Sequence, residues 1–553
     1  IGGGAFPSPS LWWGKEEMLN QWRRFQFFDK ELIKGEDGVS PHPELQNLSV
    51  KAVSSGRGLT AFGDDNGQIT LADRKFSVQT FAAYSRSVTL LHSLQQHSVL
   101  LSVGADARSD AVLKVWDLEE AGTQICPARS VFDGLGIQRE APTCMTAAED
   151  LGMVAVGLAS GAVIVLQGDI KRGKMTSKVI TTDRPSPVTA LGWQQEGGGG
   201  RRSWLMVVTC SQLVCFEDFL QDKREVLDEQ GSPAGCAVYT QEGDMILGKQ
   251  EGVFWLSREG RGATYAFEGS KSQLGYAGGF LAVVSTDASA MHTVTVYDTR
   301  NKLIAFSGAF RGVSKVVCSV GSILVVCGDG KMMQLIEKDT PSKLDMLFKR
   351  NLYVLAISLA RSNELDESLV VDIQCKYGDH LYHKSDYDGA MAQYLSTIGK
   401  LEPSYVIRKF LHAQRIHNLT SYLQALHHRR LATGEHTTLL LNCYTRLRAV
   451  EELDDFIRWE GVQFEPVAAI GTLRSAGYSQ HALFLAHKHS LHSLVVEILH
   501  KDLGQATEAI DYVRGLELEQ AALLMREKGL GLMKDCPDAA TALLTSLCTH
   551  YTP

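Results

Sequence analysis

A strand–turn–strand unit recurs through the first part of the sequence and constrains the fold more than any other feature. Each copy is a β-branched apolar run, a turn with Gly or Asp, and a second apolar run. Seven copies occur, at an average spacing of about 44 residues, which is the period of a four-stranded propeller blade. One apolar residue marks each copy: Phe62, Leu100, Val154, Val207, Ile246, Leu281 and Leu324. Residues 21–339 are therefore predicted to form a seven-bladed WD-like β-propeller.

The turns between these runs carry residues suited to hairpins. Glycine takes positive φ at no steric cost, which tight connections need, and it occurs in three turn pairs: Asn66-Gly67, Ser160-Gly161 and Asp329-Gly330. Two runs, VWDL at Val115–Leu118 and VYDT at Val296–Thr299, resemble the Trp-Asp ending of WD-type blades, although no matching Gly-His precedes them.

Three segments outside the blades were assigned from composition and alternation. The run Trp22–Phe28 alternates as a strand does and is a candidate to close the ring by completing the last blade, which the sequence leaves open. The segment Gln194–Ser203 contains four consecutive glycines and is predicted to be a flexible loop between blade strands. Residues 1–20 begin with Ile1 and are rich in Gly, Pro and Ser, so we expect a disordered tail on a fragment.

The pattern changes at Thr340-Pro341, where a hydroxyl that can cap a helix precedes a proline suited to the first turn. Beyond this point apolar residues recur at intervals of three and four, and hairpin signals stop. Residues 340–553 would hold about six helix pairs at roughly 34 residues each. Such pairs bury their faces only against neighbours, which predicts an α-solenoid of tetratricopeptide-like repeats.

The clearest helix pair lies between Tyr377 and Pro403. On its first helix Val371, Cys375, Gly378 and Tyr382 share a face, and Asp386 is a plausible N-cap for the second helix, which carries Ala390, Tyr394 and Ile398. Pro403 is expected to end the unit. The predicted packing residues are Gly378, Tyr382, Tyr387, Ala390, Tyr394 and Pro403; the residues that bind partners are not evident from the sequence.

Composition and motifs favour a binding protein over an enzyme. The net charge of −8 opposes long-range attraction to nucleic acid or anionic lipid. No complete P-loop, nucleophile elbow or zinc spacing occurs, so no catalytic, cofactor or metal residue is predicted. The eleven cysteines form no CxxC pair and are expected to be reduced, buried thiols of a cytoplasmic protein. An apolar run of about 18 residues, enough to span a membrane, does not occur.

Two histidine-rich tracts are candidates for a metal or ligand site. His481, His487, His489, His492 and His500 lie on predicted amphipathic helices without zinc spacing, and are interpreted as a solvated face rather than a metal site. The segment His427–Arg430 is interpreted as an exposed helix end, with contact to a phosphoinositide or an acidic partner as the alternative.

Five blocks of the sequence resemble a known family. They are QWRRFQFFDKEL, LFKRNLYVLAISLA, CKYGDHLYHKSDYDGAMAQYLSTIGKLEPSYVIRKFL, AQRIHNLTSYLQALH and HTTLLLNCYTRL. Together they resemble the class C vacuolar protein sorting family, at its core subunit numbered eleven, which the HOPS and CORVET tethering complexes share. The block at 375–411 carries most of this resemblance.

The resemblance implies a non-enzymatic scaffold that supports vesicle docking and fusion in endosome-to-lysosome or vacuole transport and in autophagosome fusion. It also implies that the solenoid contains clathrin-heavy-chain-like repeats. The implied location is peripheral, on early and late endosomes and on lysosomes or vacuoles. Its implied partners are the other class C subunits and the subunits specific to HOPS or CORVET, with Rab GTPases and SNAREs engaged indirectly, and no nucleic acid.

The family ends in a RING-type zinc domain, and the sequence to Pro553 contains no such spacing, so zinc binding and ubiquitin ligation are not expected of this fragment. The alternative is a propeller–solenoid scaffold of a vesicle coat, a ciliary transport complex or a nuclear pore. An enzyme with a site on the propeller axis is a third hypothesis, which no charged residue recurring at matched blade positions supports.

Overall fold

The computed structural model describes residues 22–35, 40–46, 48–107, 109–120, 122–195, 203–218, 223–267, 269–286, 291–459 and 465–550. The predicted tail at residues 1–20, and residues 196–202 of the predicted glycine-rich loop, lie outside the described residues. The chain divides into two compact units, Ile1–Met346 and Leu347–Pro553, which are considered separately below.

The first unit contains seven sheets in its described residues, each a propeller blade built on antiparallel strands. Strands β1 (Arg23–Arg24) and β2 (Phe28–Leu32) and the short helix α1 (Pro43–Gln46) precede the first blade. The strands of blades 1 to 3 follow in chain order: β3 (Val50–Gly56), β4 (Leu59–Asp64), β5 (Gln68–Ala72), β6 (Val78–Ala82); β7 (Ser87–Ser93), β8 (Val99–Asp106), β9 (Ser109–Asp117), with β10 (Thr123–Gln124) and β11 (Arg129–Ser130) on its outer edge; β12 (Pro142–Ala147), β13 (Met153–Leu158), β14 (Ala162–Asp169), β15 (Lys174–Thr181).

Blades 4 to 7 repeat this order of four strands. Their strands are β16 (Val188–Gln195), β17 (Ser203–Thr209), β18 (Leu213–Asp218), β19 (Lys223–Asp228); β20 (Ala237–Tyr239), β21 (Met245–Gly248), β22 (Val253–Ser257), β23 (Gly260–Tyr265); β24 (Lys271–Ala277), β25 (Phe280–Thr286), β26 (Met291–Asp298), β27 (Leu303–Arg311); β28 (Val313–Ser319), β29 (Ser322–Cys327), β30 (Met332–Glu337). Blade 7 obtains its fourth strand from β2.

The seven residues that marked the repeat lie on the same strand of every blade. Each lies on the second strand of its sheet and is buried, from Phe62 on β4 to Leu324 on β29. The blades bury their faces against one another, and Phe62 of blade 1 shares a core cluster with Leu324 and Val326 of blade 7. This contact between the first and last blades closes the ring and confirms the predicted seven-bladed propeller.

The turn residues act as their chemistry requires. Gly67 has φ of +78°, and a Cβ there would lie 2.2 Å from the carbonyl oxygen of Tyr84, so only glycine fits. The runs that resembled WD endings do end the third strand of blades 2 and 6, at Asp117 and Asp298. Asp298 then accepts hydrogen bonds from the backbone N–H groups of Arg300 and Asn301, which fixes the turn.

The predicted early strand closes the ring, but not as one strand over Trp22–Phe28. That run contains only β1, which pairs with β27 of blade 6, and the first residue of β2, which pairs with β30 of blade 7. Phe27 and Phe28 are consecutive and both are buried, which a single half-buried strand does not allow. The chain therefore changes from one blade to the next between β1 and β2.

The second unit is built of helices that pack on their neighbours along the chain. Helix α2 begins at Thr340, as predicted from the Thr-Pro signal, and its residues 340–346 belong to the first unit. The helices are α2 (Thr340–Lys349), α3 (Tyr353–Ser362), α4 (Glu367–His383), α5 (Tyr387–Ser396), α6 (Pro403–His412), α7 (Ile416–His428), α8 (Gly434–Leu447), α9 (Val450–Arg458), α10 (Pro466–Ser475), α11 (Ser479–Lys488), α12 (His492–Glu497) with a π-helical turn (Ile498–Asp502), α13 (Ala506–Arg514), α14 (Leu518–Asp535) and α15 (Pro537–His550).

One core runs through this unit from Ala390 to Leu543. Consecutive helices pack as pairs, such as α4 with α5 and α10 with α11, and helices two apart also touch, such as α5 with α7 and α8 with α10. This arrangement is the predicted solenoid of helix pairs. The cysteines of the chain are all free, and Cys210 and Cys548 are exposed rather than buried as expected.

Truncating Phe28 to Ala should destabilise the ring closure by about 3–5 kcal/mol, because this fully buried ring anchors β2 against blade 7. Its ring also meets Phe280 edge-on, at 5.1 Å between centroids. Hydrogen exchange of the β30 amides in the full chain measures the effect. Glu31→Ala on the exposed face of β2 should change stability by less than about 0.5 kcal/mol. Unaltered protection of β30 in Phe28→Ala would show that β2 does not hold the ring.

Candidate functional site

The close approach of α4 and α5 depends on a glycine facing a tyrosine. Gly378 on α4 is buried, and a Cβ there would lie 2.8 Å from a ring carbon of Tyr394 on α5. Tyr394 and Ala390 are fully buried on the facing side of α5. The ring of Tyr394 therefore fills the space that a side chain at position 378 would take.

A second set of aromatic contacts carries the packing from α4 to α6. The ring of Tyr382 lies edge-on to Tyr387 and Phe410, at 5.2 and 5.5 Å between centroids. Its hydroxyl donates to the backbone carbonyl oxygen of Lys409 at 2.9 Å. Tyr382 thus joins three successive helices.

The ends of α5 are defined by two residues singled out in the sequence. Asp386 caps the helix as predicted, because its Oδ1 accepts a hydrogen bond from the N–H of Gly389 at 3.0 Å. Pro403 does not end the helix pair as expected, since α5 stops at Ser396 and Pro403 begins α6. Proline suits a first turn because its missing N–H would have no partner there.

A carboxylate cluster that the sequence analysis missed connects α4, α5 and α6. Asp379 on α4 accepts hydrogen bonds from the hydroxyl of Tyr394 at 2.5 Å and from that of Tyr405 at 2.8 and 2.9 Å. The ammonium of Lys409 on α6 also pairs with Asp379 and lies 3.4 Å from the Tyr394 hydroxyl. Asp379, Tyr394, Tyr405 and Lys409 are called the Asp379 cluster below.

The protonation states of this cluster are set by its own members. Burial alone would raise the pKa of Asp379, but hydrogen bonds from Lys409, Tyr394 and Tyr405 outweigh it and lower the pKa. Burial would lower the pKa of Lys409, and the bond to Asp379 instead raises it. Burial and the adjacent carboxylate raise the pKa of Tyr394. At neutral pH the cluster is an ion pair with two neutral phenols.

The Asp379 cluster is suited to a structural contact between neighbouring helical repeats. The carboxylate is held by three donors from neighbouring helices, which fixes its ionised form instead of preparing it to move a proton. One signal in the sequence could have indicated it: a tyrosine on the buried face of α5 needs a partner for its hydroxyl. The partner itself lies on another helix at a separation that no helical period predicts.

An open cleft of about 370 Å³ borders the cluster and is the candidate contact surface of this unit. Its lining residues are Phe348, Tyr353, Lys376, Asp379, His380 and His383. Tyr353 stacks on Phe348 and on Tyr377, at 5.7 and 5.4 Å between centroids. The ammonium of Lys376 lies 5.0 Å from the centre of the Phe348 ring. Aromatic residues are enriched at protein interfaces, so this cleft is a candidate for contact with another protein.

The segment His427–Arg430 is not simply an exposed helix end. His427 is only 7% exposed, its ring meets Phe456 edge-on at 4.9 Å, and burial lowers its pKa to about 4. Arg429 donates to the carbonyl oxygen of Ile398, two residues past the end of α5, at 3.0 Å. The prediction was wrong for His427 because α9 packs over the end of α7.

Three histidines of the second tract contact neighbouring helices. His481 lies 3.2 Å from Asp454, and His500 lies 2.5 Å from Asp535. His492 is hydrogen-bonded to the hydroxyl of Tyr512 at 2.7 Å. For these three the solvated-face interpretation is wrong, because their imidazoles bridge helices, which a pattern along one helix does not show. His487 is exposed, as that interpretation expects, and contacts the Tyr512 ring, and His489 is half-buried.

The residues that the structure describes contain no group of three or more His, Cys, Asp or Glu side chains placed to hold a metal ion. They also contain no helix that is both long and apolar enough to cross a membrane.

Comparison with known families matches both units. Residues 22–337 match the family model described as PEP5/VPS11 N-terminal, and residues 382–553 match the one described as PEP5/VPS11 clathrin repeat. The second match begins at Tyr382, within the helix pair that carries the predicted packing residues.

Similar proteins of known name cover nearly the whole chain. A vacuolar protein sorting-associated protein 11 homolog of Dictyostelium discoideum is 38% identical over 97% of this chain and 60% of the relative. Homologs of that name from Mus musculus and Arabidopsis thaliana are 39% and 38% identical, each over 96% of this chain and over 60% and 58% of the relative. The chain spans less than two thirds of the length of these relatives.

Ala390→Asp should destabilise the helix pair by about 3 kcal/mol or more, because it places an unpaired charge where α4 and α5 meet. Hydrogen exchange of α4 and α5 in the full chain measures this. Ala392→Asp on the exposed face of α5 is the matched control and should leave exchange nearly unchanged. Equal protection in both variants would contradict the packing described here.

Asp379→Asn should destabilise α4–α6 by about 1–3 kcal/mol at pH 7, since it removes the charge that three donors share. The folded-state pKa of Asp379 is lowered, so its contribution is present above the ordinary value near 3.9 and is lost as pH falls through the folded value. The difference in stability between Asp379→Asn and wild type, measured by hydrogen exchange of α4–α6, should therefore become smaller below about pH 4. Asp372→Asn, exposed two turns earlier on α4, should show no such difference. A stability difference between variant and wild type that stays constant with pH would show that Asp379 is not ionised in the folded protein.

Proposed function

The chain belongs to the PEP5/VPS11 family, and we propose that it acts as a non-enzymatic scaffold subunit of a membrane-tethering complex of the HOPS and CORVET type. In this role it supports docking and fusion of vesicles in transport from endosomes to lysosomes or vacuoles, and in autophagosome fusion. The observation that carries the proposal is the family match over the propeller and the following repeats, in that order along one chain. The names of the similar proteins, which describe vacuolar protein sorting, agree with it.

The described chemistry supports a role in binding. The polar cluster around Asp379 joins three helices, and its groups are paired with one another. Propellers and solenoids offer broad surfaces built from repeated neighbours, which suits a scaffold with several partners. We therefore assign neither catalysis nor a cofactor to this part of the protein.

The proposed partners are the other class C subunits and the subunits specific to each complex, with Rab GTPases and SNAREs engaged through them and no nucleic acid bound. The proposed location is cytoplasmic, peripheral on late endosomes and on lysosomes or vacuoles, and also on early endosomes. We place one contact with another subunit at the cleft lined by Tyr353 and Lys376, because its aromatic stack is accessible from solvent.

Affinity purification of the full-length protein tests the proposal. The other class C subunits should be recovered with it. Recovery of vesicle-coat, ciliary-transport or nuclear-pore proteins in their place would refute a tethering role and favour the other kind of scaffold.

Lys376→Glu in the same experiment tests the cleft. It should reduce recovery of at least one subunit several-fold, whereas Lys384→Glu, exposed at the end of the same helix, should not. Identical recovery with both variants would remove the contact from the cleft and leave the tethering role intact.

A further inference from the structure

Blade 6 carries a strand that it does not need. Its own four strands, β24 to β27, complete the sheet, and β1 adds a fifth strand on the outer edge. The added strand runs parallel to β27, with Arg23 opposite Leu303 and Arg24 opposite Ile304. In contrast, β2 supplies the fourth strand of blade 7. The two strands of the N-terminal segment therefore have different roles: β2 completes a blade, whereas β1 is added to a blade that is already complete.

The pairing of this segment continues past β1. The backbone N–H groups of Phe25 and Phe27 donate to the carbonyl oxygens of Ile304 and Ala305, both at 2.8 Å. Residues 23–27 thus lie along the β27 edge as an extended peptide does in β-strand addition. An uncovered edge strand presents N–H and C=O groups that such a peptide can pair with.

An aromatic anchor precedes these backbone bonds. Trp22 packs against the rings of Tyr265, Phe267 and Tyr297, at 5.2, 5.4 and 5.3 Å between centroids. Tyr265 ends the outer strand of blade 5, Phe267 follows it, and Tyr297 belongs to β26 of blade 6. These three residues form a site between two blades, called the Trp22 cup below. Phe267 and Tyr297 stack on each other at 4.0 Å, which gives the cup a fixed wall.

We infer that the β27 edge and the Trp22 cup form a binding site for an extended segment with an aromatic anchor, which residues 22–27 occupy within the same chain. The ligand is an extended segment of another protein that carries one aromatic anchor residue. The N–H groups that pair with the β27 edge belong to the residues three and five positions after this anchor. Backbone bonds to β27 supply affinity, and the cup selects the aromatic side chain. This goes beyond the proposed function and does not depend on it.

The segment within the chain competes with such a ligand. Because it is tethered through β2, its effective concentration at the edge is on the order of millimolar. The segment is held by the two residues of β1, two further backbone bonds, the Trp22 contacts and the burial of Phe25 and Phe27. Release of residues 22–27 exposes these side chains but leaves each of the seven blades with its four strands, so the segment can leave while β2 stays paired with β30.

A fluorescent peptide of residues 18–27, MLNQWRRFQF, serves as the probe in an anisotropy titration of the full chain. Trp22→Ala in the protein weakens the resident segment, and the peptide should bind this variant at least tenfold more tightly than it binds the wild type. A peptide with Trp replaced by Ala should lose this binding, and so should a protein that carries both Trp22→Ala and Tyr265→Ala. Equal binding of the peptide to wild type and Trp22→Ala, or equal binding of the two peptides, would overturn the inference.

Hydrogen exchange in the wild-type chain keeps the inference testable if the variants fold poorly. The amides of Phe25 and Phe27 should exchange at least tenfold faster than those of β2 and β30, because the segment opens separately from the ring. Exchange of all these amides at one common rate would show that the segment leaves only when the propeller unfolds, and would equally overturn the inference.

Discussion

The pairing of β2 with β30 holds the first unit together. Each blade buries its faces only against the two adjacent blades, so the ring must join at its ends or leave two apolar faces in water. Five residues near the start of the chain make this joint, with Phe28 opposite Glu337 and Leu32 opposite Met333. Because hydrogen bonds are short-ranged, the register of this single ladder fixes how blade 7 meets blade 1. The positions of the other blades follow from contacts passed round the ring.

The helical unit must also bury its apolar faces, and it does so without closing into a ring. Its apolar core continues from helix to helix, and polar groups lock successive repeats together. The Asp379 cluster does this for α4 to α6. Further along, Glu497 receives Arg474 from α10 and Lys528 from α14, and the bond from Lys528 is the main reason that the pKa of Glu497 falls to about 2. Directional bonds of this kind set the angle between repeats, which apolar contacts alone leave adjustable.

The sequence predicted features that repeat and missed those that depend on distant residues. Phe62 and its six counterparts were found because the second strand of each blade is buried, and Thr340 because helix starts have local chemistry. The extent of β1 and β2 was missed because the alternation of apolar and polar residues does not show where the chain changes from one sheet to the next. Asp379 and His427 were missed for a related reason, since their surroundings are built by other helices. The predicted packing residues of α4 and α5 could be located from one helix pair, but the site beside them could not.

The ladder between β2 and β30 also has a consequence in time. Its two strands are separated by about 300 residues of chain, which a ribosome adding about 5–20 residues per second takes about 15–60 s to make. During that interval β2 has left the ribosome and its partner does not yet exist. Phe25, Phe27 and Phe28 are then apolar side chains next to unpaired backbone, a combination that pairs readily with other chains. Residues 25–32 must therefore be kept from wrong partners until the last blade is synthesised, and chaperone demand should be greatest for this segment.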